Sequence, residues 1–308
     1  MLPAFLGEVD VLRSIQLLPG VSTVGEGSAG FNVRGGQTDQ NLTLYDGMQL
    51  FNPTHALGFF SAFHPAASEK FDLYKGHVPA EYGGRAPAVL TVETKKPNLE
   101  KRKTELAISP FMGNAMVEGP IFKDRTSFLL AGRVSWANWM LKSIHRLEDV
   151  RNSRASFHDL TGKLHHAFSS NSQLSLSLYD SGDELQFADQ YGYAWGTRLA
   201  SMSWQRIAGT DWLFKSMLGT GRYRAELYEP TGLEAFRISN GLVYHQAQQT
   251  VRYAGLANHK LQAGMEWIQY QGQDEELKPF EEGGLVVPLV YPKTKAMSLR
   301  SMCRMTGQ

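Results

Sequence analysis

The sequence predicts an α+β domain over residues 1–99, followed over residues 100–308 by antiparallel strands of a transmembrane β-barrel. Three observations predict this fold. Short helix and strand patterns alternate in the first hundred residues, long strands joined by tight turns fill the rest, and aromatic residues gather near the ends of those strands. The formal net charge of +1 gives no electrostatic reason to expect a nucleic-acid partner.

The first region mixes element types. Apolar residues at helical spacing from Val11 predict a short helix that ends before Pro19. Asp46 and Gly47 separate LTLY from MQLF, which predicts a hairpin turn between two short strands. The segments KFDLYKG and AVLTVET alternate apolar and polar residues, so both are predicted strands.

A glycine pattern in this region resembles a nucleotide-binding loop. Gly25, Gly27 and Gly30 have the G-x-G-x-x-G spacing, and Asp46 follows at about the distance of a ribose-binding acid. That site needs a helix to open on the third glycine, because the phosphates bind its free N–H groups. Here the strand pattern FNVR follows instead, so we reject a nucleotide site.

The second region contains about eight recognisable strands, most of about ten residues or more, with connections that alternate between short and long. In the strand TSFLLAGRVS, Leu130 and Val134 share one face while Ser127 and Arg133 share the other. Such alternation with long strands is typical of membrane barrels, whose outer residues contact lipid. The alternative is a soluble β-sandwich with its apolar rows in a core. Aromatic residues near strand ends suggest an interfacial belt: Trp136, Trp139, Tyr191, Tyr193, Trp195, Tyr223, Tyr228, Trp267 and Tyr270.

The last part of the chain looks irregular in sequence. The acidic stretches at residues 274–276 and 281–282 are predicted to lie in a solvated loop. From about Lys293, KTKAMSLRSMCRMTGQ loses strand alternation and holds three methionines and the single cysteine. We hypothesise that a frameshift or assembly error truncates the gene there.

Three motif-bearing segments of the first region carry a family resemblance. They are FLGEVDVLRSIQLLPGV, GFNVRGGQTDQNLTLYDGMQLFNP and FDLYKGHVPAEYGGRAPAVLTVETK, and they occur in order over residues 3–96. Together they closely resemble the plug domain of TonB-dependent outer-membrane receptors, especially the SusC-like receptors of Bacteroidota. In that family the plug fills a barrel of about twenty-two strands. The resemblance therefore implies that residues 1–99 are a plug and residues 100–308 the first, truncated part of a barrel in the outer membrane.

The resemblance also implies roles for individual residues. Arg34 resembles the plug arginine that pairs with carboxylates of the barrel wall, and Glu69 or Asp72 with Lys75 resemble a second anchoring motif; ordinary exposed ion pairs are the alternative. Backbone turns are expected at Gly35, Gly36, Asp46, Gly47, Gly83 and Gly84. Residues 51–63 are expected to lie nearest a ligand, with Phe51, His55, Phe59 and Phe60 as the candidate contacts.

By this resemblance the protein binds an extracellular iron chelate, vitamin, oligosaccharide or peptide and imports it with energy from the inner-membrane TonB complex. We find no TonB box in the sequence. A surface lipoprotein is a further candidate partner. Two alternatives stay open, namely a binding or signalling receptor that does not transport, and a soluble β-rich binding protein.

Nothing in the sequence favours catalysis. The G-x-S-x-G motif of hydrolases does not occur, and Cys303 is the single cysteine. His165 and His166 are adjacent on a predicted strand, so they point to opposite faces and cannot share a metal ion. We therefore expect no enzyme activity, no metal site and no cofactor.

Overall fold

The computed structural model describes residues 4–5, 8–23, 31–33, 36, 40–76, 78–82, 88–143, 148–188, 190–281 and 283–307. It contains an N-terminal unit, which extends to Thr94, and a large sheet, which begins at Lys103. None of the helices among the described residues is long and apolar enough to cross a membrane.

The N-terminal unit is built from one helix and short strands. A four-stranded sheet in the order β6-β5-β10-β9 forms its centre, with β10 parallel to β5 and antiparallel to β9. The remaining strands pair as β1–β2, β3–β4 and β7–β8. The bounds are β1 (Ala4–Phe5), β2 (Glu8–Val9), α1 (Val11–Gln16), β3 (Val21–Thr23), β4 (Phe31–Val33), β5 (Leu42–Tyr45), β6 (Met48–Gln49), β7 (Thr54–His55), β8 (Phe60–Ser61), β9 (Ser68–Lys75) and β10 (Ala88–Thr94).

Two local predictions in this unit are confirmed. The helix α1 begins where Asp10 accepts hydrogen bonds from the backbone N–H groups of Leu12 and Arg13, and it ends before Pro19. Asp46 and Gly47 both have positive φ, 47° and 84°, which is the conformation that a two-residue hairpin requires. The aspartate tolerates this conformation better than most residues with a side chain.

The large sheet has eleven antiparallel strands among the described residues, three more than predicted. Strands β11 to β19 follow chain order, and both β20 and β21 pair with β19. Two short helices lie between β13 and β14. The bounds are β11 (Lys103–Ile108), β12 (Met112–Phe122), β13 (Thr126–Ser135), α2 (Asn138–Ser143), α3 (Glu148–Arg151), β14 (Arg154–Ser169), β15 (Ser172–Phe187), β16 (Tyr191–Ala208), β17 (Trp212–Glu229), β18 (Phe236–Leu256), β19 (His259–Pro279), β20 (Leu289–Val290) and β21 (Lys295–Gly307).

Three predictions about this sheet are wrong. Residues 274–276 belong to β19 rather than to a loop, because β18 and then β20 supply hydrogen-bond partners out to Pro279. The tail from Lys295 forms β21, which pairs with β19 in continuous register over thirteen residues. Connections do not strictly alternate in length, since β15 and β16 are joined by only residues 188–190.

The two faces of the large sheet differ in polarity. We call the side that contacts the N-terminal unit the inner face and the opposite side the outer face. On β13 the neighbours Arg133 and Val134 are 3% and 49% exposed, which places the arginine inside and the valine outside. A row of directly paired outer residues crosses four strands, and all are apolar and exposed: Leu164, Leu176, Met202 and Leu218.

This arrangement decides between the two interpretations of the apolar rows. In a soluble sandwich these side chains would be covered by a second sheet. Here the core instead lies between the N-terminal unit and the inner face, where Tyr45, Met48 and Phe63 pack with Tyr179 and Tyr244. Among the residues that the structure describes, no second sheet covers the outer rows. The exposed apolar rows favour contact with lipid.

Candidate functional site

The main polar contact between the two parts is a buried cluster around His55, which we call the His55 junction: His55, Arg133, Asp159 and Asp183. His55 lies at the end of β7, and its Nδ1 is 2.6 Å from Asp183 Oδ2 on β15. Its Nε2 is 3.4 Å from Asp159 Oδ2 on β14. The backbone N–H of Ala56 also donates to Asp183 Oδ1, at 2.8 Å. One residue of the N-terminal unit thus bridges two strands of the large sheet.

Arg133 completes the His55 junction from β13. Its Nε donates to Asp159 Oδ2 at 2.6 Å, and its Nη2 donates to the backbone carbonyl of Ser61 at 2.6 Å. The side chains of Arg133 and Asp159 are at most 1% exposed. A buried carboxylate is tolerated only when cations and donors satisfy it, so Asp159 depends on Arg133 and His55 together.

The β7–β8 segment, which contains His55 and Ser61, is also connected by a hydrogen bond to the start of helix α1. The Asp10 side chain accepts from the N–H of Leu12 through Oδ1 and from the N–H of Ser61 through Oδ2, both at 2.8 Å. Ser61 therefore donates to Asp10 of the N-terminal unit and accepts from Arg133 of the large sheet. Ser61 thus connects the Asp10 cap of α1 to the His55 junction.

An aromatic ring supports the charged groups. The Phe157 ring stacks on the His55 imidazole, with centroids 4.6 Å apart and planes 12° apart. The Arg133 guanidinium lies 5.4 Å from the centroid of the same ring, and Phe60 packs at 5.3 Å. The ring attracts both cations through its negative face and excludes water from the cluster.

The surroundings favour the protonated form of His55. Burial by itself lowers the pKa of an imidazole, but the adjacent carboxylates of Asp159 and Asp183 outweigh it and raise the pKa of His55 above its ordinary value. With His55 protonated, two cations face two carboxylates. Loss of the proton leaves the cluster with an unbalanced buried negative charge, which is costly.

A second polar contact lies at the Asp46 turn. Asp46 accepts from the N–H and the hydroxyl of Thr94 at 2.8 and 2.6 Å. Lys163 of β14 reaches the same group: its Nζ is 3.4 Å from Asp46 Oδ2 and 2.7 Å from Thr94 Oγ1. The hairpin turn thus also binds the large sheet, a role that its sequence pattern does not reveal.

Hydroxyl groups add further contacts across the interface. Tyr45 Oη lies 3.0 Å from Thr161 Oγ1, and burial raises the pKa of Tyr45 far above its usual range, so its phenol keeps the proton. Tyr179 donates to the carbonyl of Ala62 at 2.9 Å. On β18 and β19, Tyr244 donates to the carbonyl of Gln49 and Tyr270 to its side chain.

The aromatic-belt prediction is wrong for two residues. Tyr270 lies on the inner face, where it bonds Gln49. Tyr223 packs against Phe51 of the N-terminal unit, with ring centroids 5.8 Å apart. Both therefore belong to the interface with this unit rather than to a lipid boundary, because alternate strand positions face inward. Tyr191 is exposed at the start of β16, and Trp139 is exposed in α2.

Of the four predicted anchoring residues, two make contacts within the N-terminal unit, one is exposed and one lies outside the described residues. Asp72 pairs with Lys70 of its own strand, their charged atoms 2.7 Å apart, and Lys75 donates to the carbonyl of Pro19. Both contacts stay within the N-terminal unit. Glu69 is exposed, and Arg34 lies outside the described residues. The anchoring roles of Arg34, Glu69, Asp72 and Lys75 remain predictions.

The predicted turn residues and ligand-contact residues also differ in where the structure places them. Gly36 donates its N–H to the carbonyl of Val33, while Gly35, Gly83 and Gly84 lie outside the described residues. Of the candidate ligand contacts, Phe59 is exposed and Phe51 half-buried. His55 and Phe60 are buried against Phe157, so their side chains are closed to a ligand in this conformation.

Sequence reasoning missed the carboxylates of the His55 junction. Asp159 and Asp183 occupy inward positions of β14 and β15, opposite in phase to the outer leucines. Charged residues at that phase are a detectable signal. Their shared partner was not detectable, because His55 is more than a hundred residues away in the chain. Among the described residues, no group of three or more His, Cys, Asp or Glu side chains is placed to hold a metal ion.

Comparison with known proteins agrees with this geometry. Residues 6–90 match the sequence profile of the TonB-dependent Receptor Plug Domain. No curated protein matches the chain. Solved structures do match it at low sequence identity, which shows the fold alone.

Three of these structures illustrate the match. A variant of the ferric enterobactin receptor from Pseudomonas aeruginosa in complex with enterobactin has a TM-score of 0.68 at 14% identity, and the match covers 97% of this chain and 53% of that one. The ferripyoverdine receptor of the outer membrane of P. aeruginosa bound to ferripyoverdine gives 0.59 at 13%, covering 87% and 46%. The siderophore receptor PirA from Acinetobacter baumannii gives 0.59 at 16%, covering 86% and 46%.

The chain thus spans about half the length of the receptors it matches. Its N-terminal unit corresponds to their plug, and its large sheet corresponds to part of their barrel. The fold is that of a TonB-dependent receptor plug domain followed by a large antiparallel sheet that matches the barrels of those receptors.

Proposed function

We propose that this chain is part of an outer-membrane receptor that binds an extracellular ligand and imports it with energy delivered by TonB. The observation that best supports this proposal is the His55 junction. There, buried charges hold a separate N-terminal unit on the polar face of a sheet whose other face is apolar and exposed. We further propose that the plug ends near residue 99, between β10 and β11.

The interface combines an apolar core with ion pairs and hydrogen bonds. Its polar contacts can be exchanged for contacts with water when the lumen is wet, so a plug that moves loses only the apolar part without such compensation. Ser61 links the junction to Asp10 and hence to α1 near the N-terminal end of the plug. A pull from the TonB side would reach the His55 junction through this connection.

For the ligand we favour an iron chelate, because the matched structures include receptors bound to enterobactin and ferripyoverdine. A vitamin, an oligosaccharide or a peptide is the alternative. Phe59 together with Leu57, both exposed beside the His55 junction, is the proposed plug surface nearest the ligand. Assignment to the SusC-like subtype, and with it a surface lipoprotein partner, rests on sequence resemblance alone.

The roles proposed for individual plug residues follow from the same function. Arg34, Glu69, Asp72 and Lys75 are proposed to contact the part of a barrel wall that completes this sheet. Asp72 already lines a cavity of about 450 Å³ between the N-terminal unit and the inner face, together with Asp46 and Lys163. That cavity is polar, as expected for a wetted lumen.

Transport assays test the proposal. Cells that produce the full-length receptor should accumulate labelled ferric enterobactin, or another ligand of the classes above, only when TonB is intact. Asp183→Asn should impair accumulation, because it weakens the hold on His55. Asp124→Asn makes the same charge change in an exposed turn of positive φ, which asparagine tolerates, and should behave as wild type.

The outcome separates importer from binding receptor. Ligand that binds the cells but never accumulates, with or without TonB, would support the receptor that signals without transport. The soluble alternative predicts that the protein stays out of the outer-membrane fraction, which the exposed apolar rows argue against.

A further inference from the structure

The segment that links the N-terminal unit to the large sheet is strongly basic. Residues 95–103 read KKPNLEKRK, with five cations and one carboxylate, although the whole chain has a formal net charge of only +1. The turn between β12 and β13 adds two more cations. We call the exposed cations of this linker and turn the basic rim: Lys101, Arg102, Lys123 and Arg125. Among the described residues, none of these four side chains has an ion-pair partner.

Hydrogen bonds hold the linker against the β12–β13 turn. The backbone N–H of Asn98 donates to Glu118 Oε2 of β12 at 3.0 Å. The N–H of Asp124, in the turn, donates to the carbonyl of Leu99 at 3.3 Å. The Asn98 side chain also accepts from the N–H of Lys101, at 2.9 Å. The fold therefore places the cations of the linker beside those of the turn.

The linker passes from the inner face of the sheet to its outer face. Glu118 and Gly119 are neighbours on β12, so they point to opposite faces. On the inner face, Lys95 Nζ is 3.2 Å from Glu118 Oε1. On the outer face, Arg102 covers Gly119, since a Cβ on this glycine would lie 2.6 Å from Arg102 Cγ. The aliphatic stem of Arg102 thus packs on the outer face.

The basic rim borders the exposed apolar surface of the outer face. Leu106 follows Arg102 by four residues on the same side of the chain and is 70% exposed. Ile121 follows Gly119 by two residues on β12 and is 52% exposed. A cationic side chain whose stem covers apolar surface and whose charge lies at the border of that surface is suited to a membrane interface.

The basic rim lies at the end of the sheet where the connections are short. Between the described strands, the connections at this end are residues 123–125, 170–171, 209–211 and 257–258. The longer connections, 136–153, 230–235 and 280–294, lie at the opposite end. In outer-membrane barrels the short turns face the periplasm and the longer loops face outward. The rim is therefore at the periplasmic side if the outer face contacts lipid.

We propose that the basic rim binds the headgroups of anionic phospholipids in the periplasmic leaflet of the membrane. Lysine and arginine form charge-assisted hydrogen bonds with phosphate oxygens, and clustered cations beside an apolar surface attract anionic lipids. The apolar border at Leu106 and Ile121 favours a lipid over a soluble anion. Such binding holds the linker between the N-terminal unit and the sheet at the membrane surface. The inference rests on the proposed function, because it requires an outer face in lipid.

Lipid retention by the full chain, purified from membranes, tests the basic rim. Native mass spectrometry from detergent compares phosphatidylglycerol with phosphatidylcholine of the same acyl chains, and wild type should retain phosphatidylglycerol preferentially. Each removed cation should weaken this retention about fivefold, so Lys101→Gln with Arg102→Gln should weaken it about ten- to thirtyfold. Adding Lys123→Gln and Arg125→Gln should weaken it further.

A matched control removes two exposed lysines at the opposite end of the sheet. Lys142 lies in α2 and Lys293 lies before β21, and Lys142→Gln with Lys293→Gln changes the net charge by the same amount as the linker pair. This variant should retain phosphatidylglycerol as wild type does. High salt should weaken retention by wild type, because exposed charges are screened. Heat-modifiable migration on gels reports the folding of each variant.

Three results would overturn the proposal. They are equal retention of the two lipids by wild type, an equal loss in the control variant, and displacement of phosphatidylglycerol by inorganic phosphate at the same concentration, which would assign the basic rim to a soluble anion. Because no transport is measured, a failure of import would leave the lipid result intact. Absence of the chain from the outer-membrane fraction would remove both proposals, whereas a membrane-embedded chain without lipid preference would remove this one alone.

Discussion

The two faces of the large sheet obey opposite rules. On the inner face, polar residues such as Ser127, Arg133 and Asp159 are almost fully buried and hydrogen-bonded. On the outer face, leucines such as Leu178 and Leu218 are more than half exposed. Water-soluble sheets show the reverse distribution. The outer face therefore has the polarity of a lipid-facing surface, whereas the inner face packs against the N-terminal unit through both apolar and charged side chains.

We expect the largest effect from a substitution of Asp159, a buried carboxylate on the inner face. Asp159→Asn leaves Arg133 without its carboxylate and His55 without its second partner, so we expect a loss of about 3–5 kcal/mol in the free energy that holds the N-terminal unit. Urea unfolding in detergent, followed by protease sensitivity of the N-terminal unit, measures this.

The matched change for comparison is Asp124→Asn in an exposed turn, where we expect less than about 0.5 kcal/mol. Equal effects of the two substitutions would show that the His55 junction does not hold the two parts together.

A charge introduced on the outer face tests whether that face contacts lipid. Leu218→Lys places an ammonium in the apolar row, which should cost about 2–4 kcal/mol in a bilayer if the row lies at the midplane. Leu57 is exposed to a similar degree, 62% against 53%, but belongs to the N-terminal unit rather than to the apolar row.

For Leu57→Lys we therefore expect a change within about 0.5 kcal/mol. Unfolding in lipid vesicles compares the two variants. If both lysines were tolerated equally, the outer face would have to contact water rather than lipid.

The His55 junction predicts a dependence on pH. Because the folded pKa of His55 is raised above its unfolded value near 6.5, protonation contributes stability that is fully present below that pH and is lost as pH rises through the folded pKa. The slope can reach about 1.4 kcal/mol per pH unit within this window.

His55→Gln should remove this slope, whereas His259→Gln, at an exposed position, should keep it. Urea midpoints measured across the window report the slope. A stability that instead increased with pH in the wild type would contradict the protonated junction.

The smallest expected effect concerns the second inner contact. Lys163→Met removes the donor to Asp46 and Thr94 at a site that is only partly buried, so we expect a loss of about 1–2 kcal/mol. Lys215→Met, at an exposed lysine of β17, is the control and should be near neutral. Urea unfolding midpoints compare the two variants. Identical midpoints would show that Lys163 contributes no more to stability than an exposed lysine does.

The alternation of residues along each strand and the positions of several turns can be predicted from the amino-acid sequence. The opposite placement of Leu130 and Arg133 follows from the two-residue period of a strand, and the Asp46 turn follows from its Asp-Gly pair. These features are local, so neighbouring residues specify them. The resemblance of residues 3–96 to a plug domain is likewise carried by local motifs, and the profile match over residues 6–90 confirms it.

Which distant groups contact each other depends on the folded arrangement of the whole chain. The tail from Lys295 lacks an obvious pattern, but it becomes a strand because β19 offers it a free edge of hydrogen-bonding groups. His55 gave no sign of its partners in the sequence, because Asp159 and Asp183 reach it from strands far along the chain. Pairing across such distances depends on the relative placement of two folded parts, and no local pattern encodes that placement.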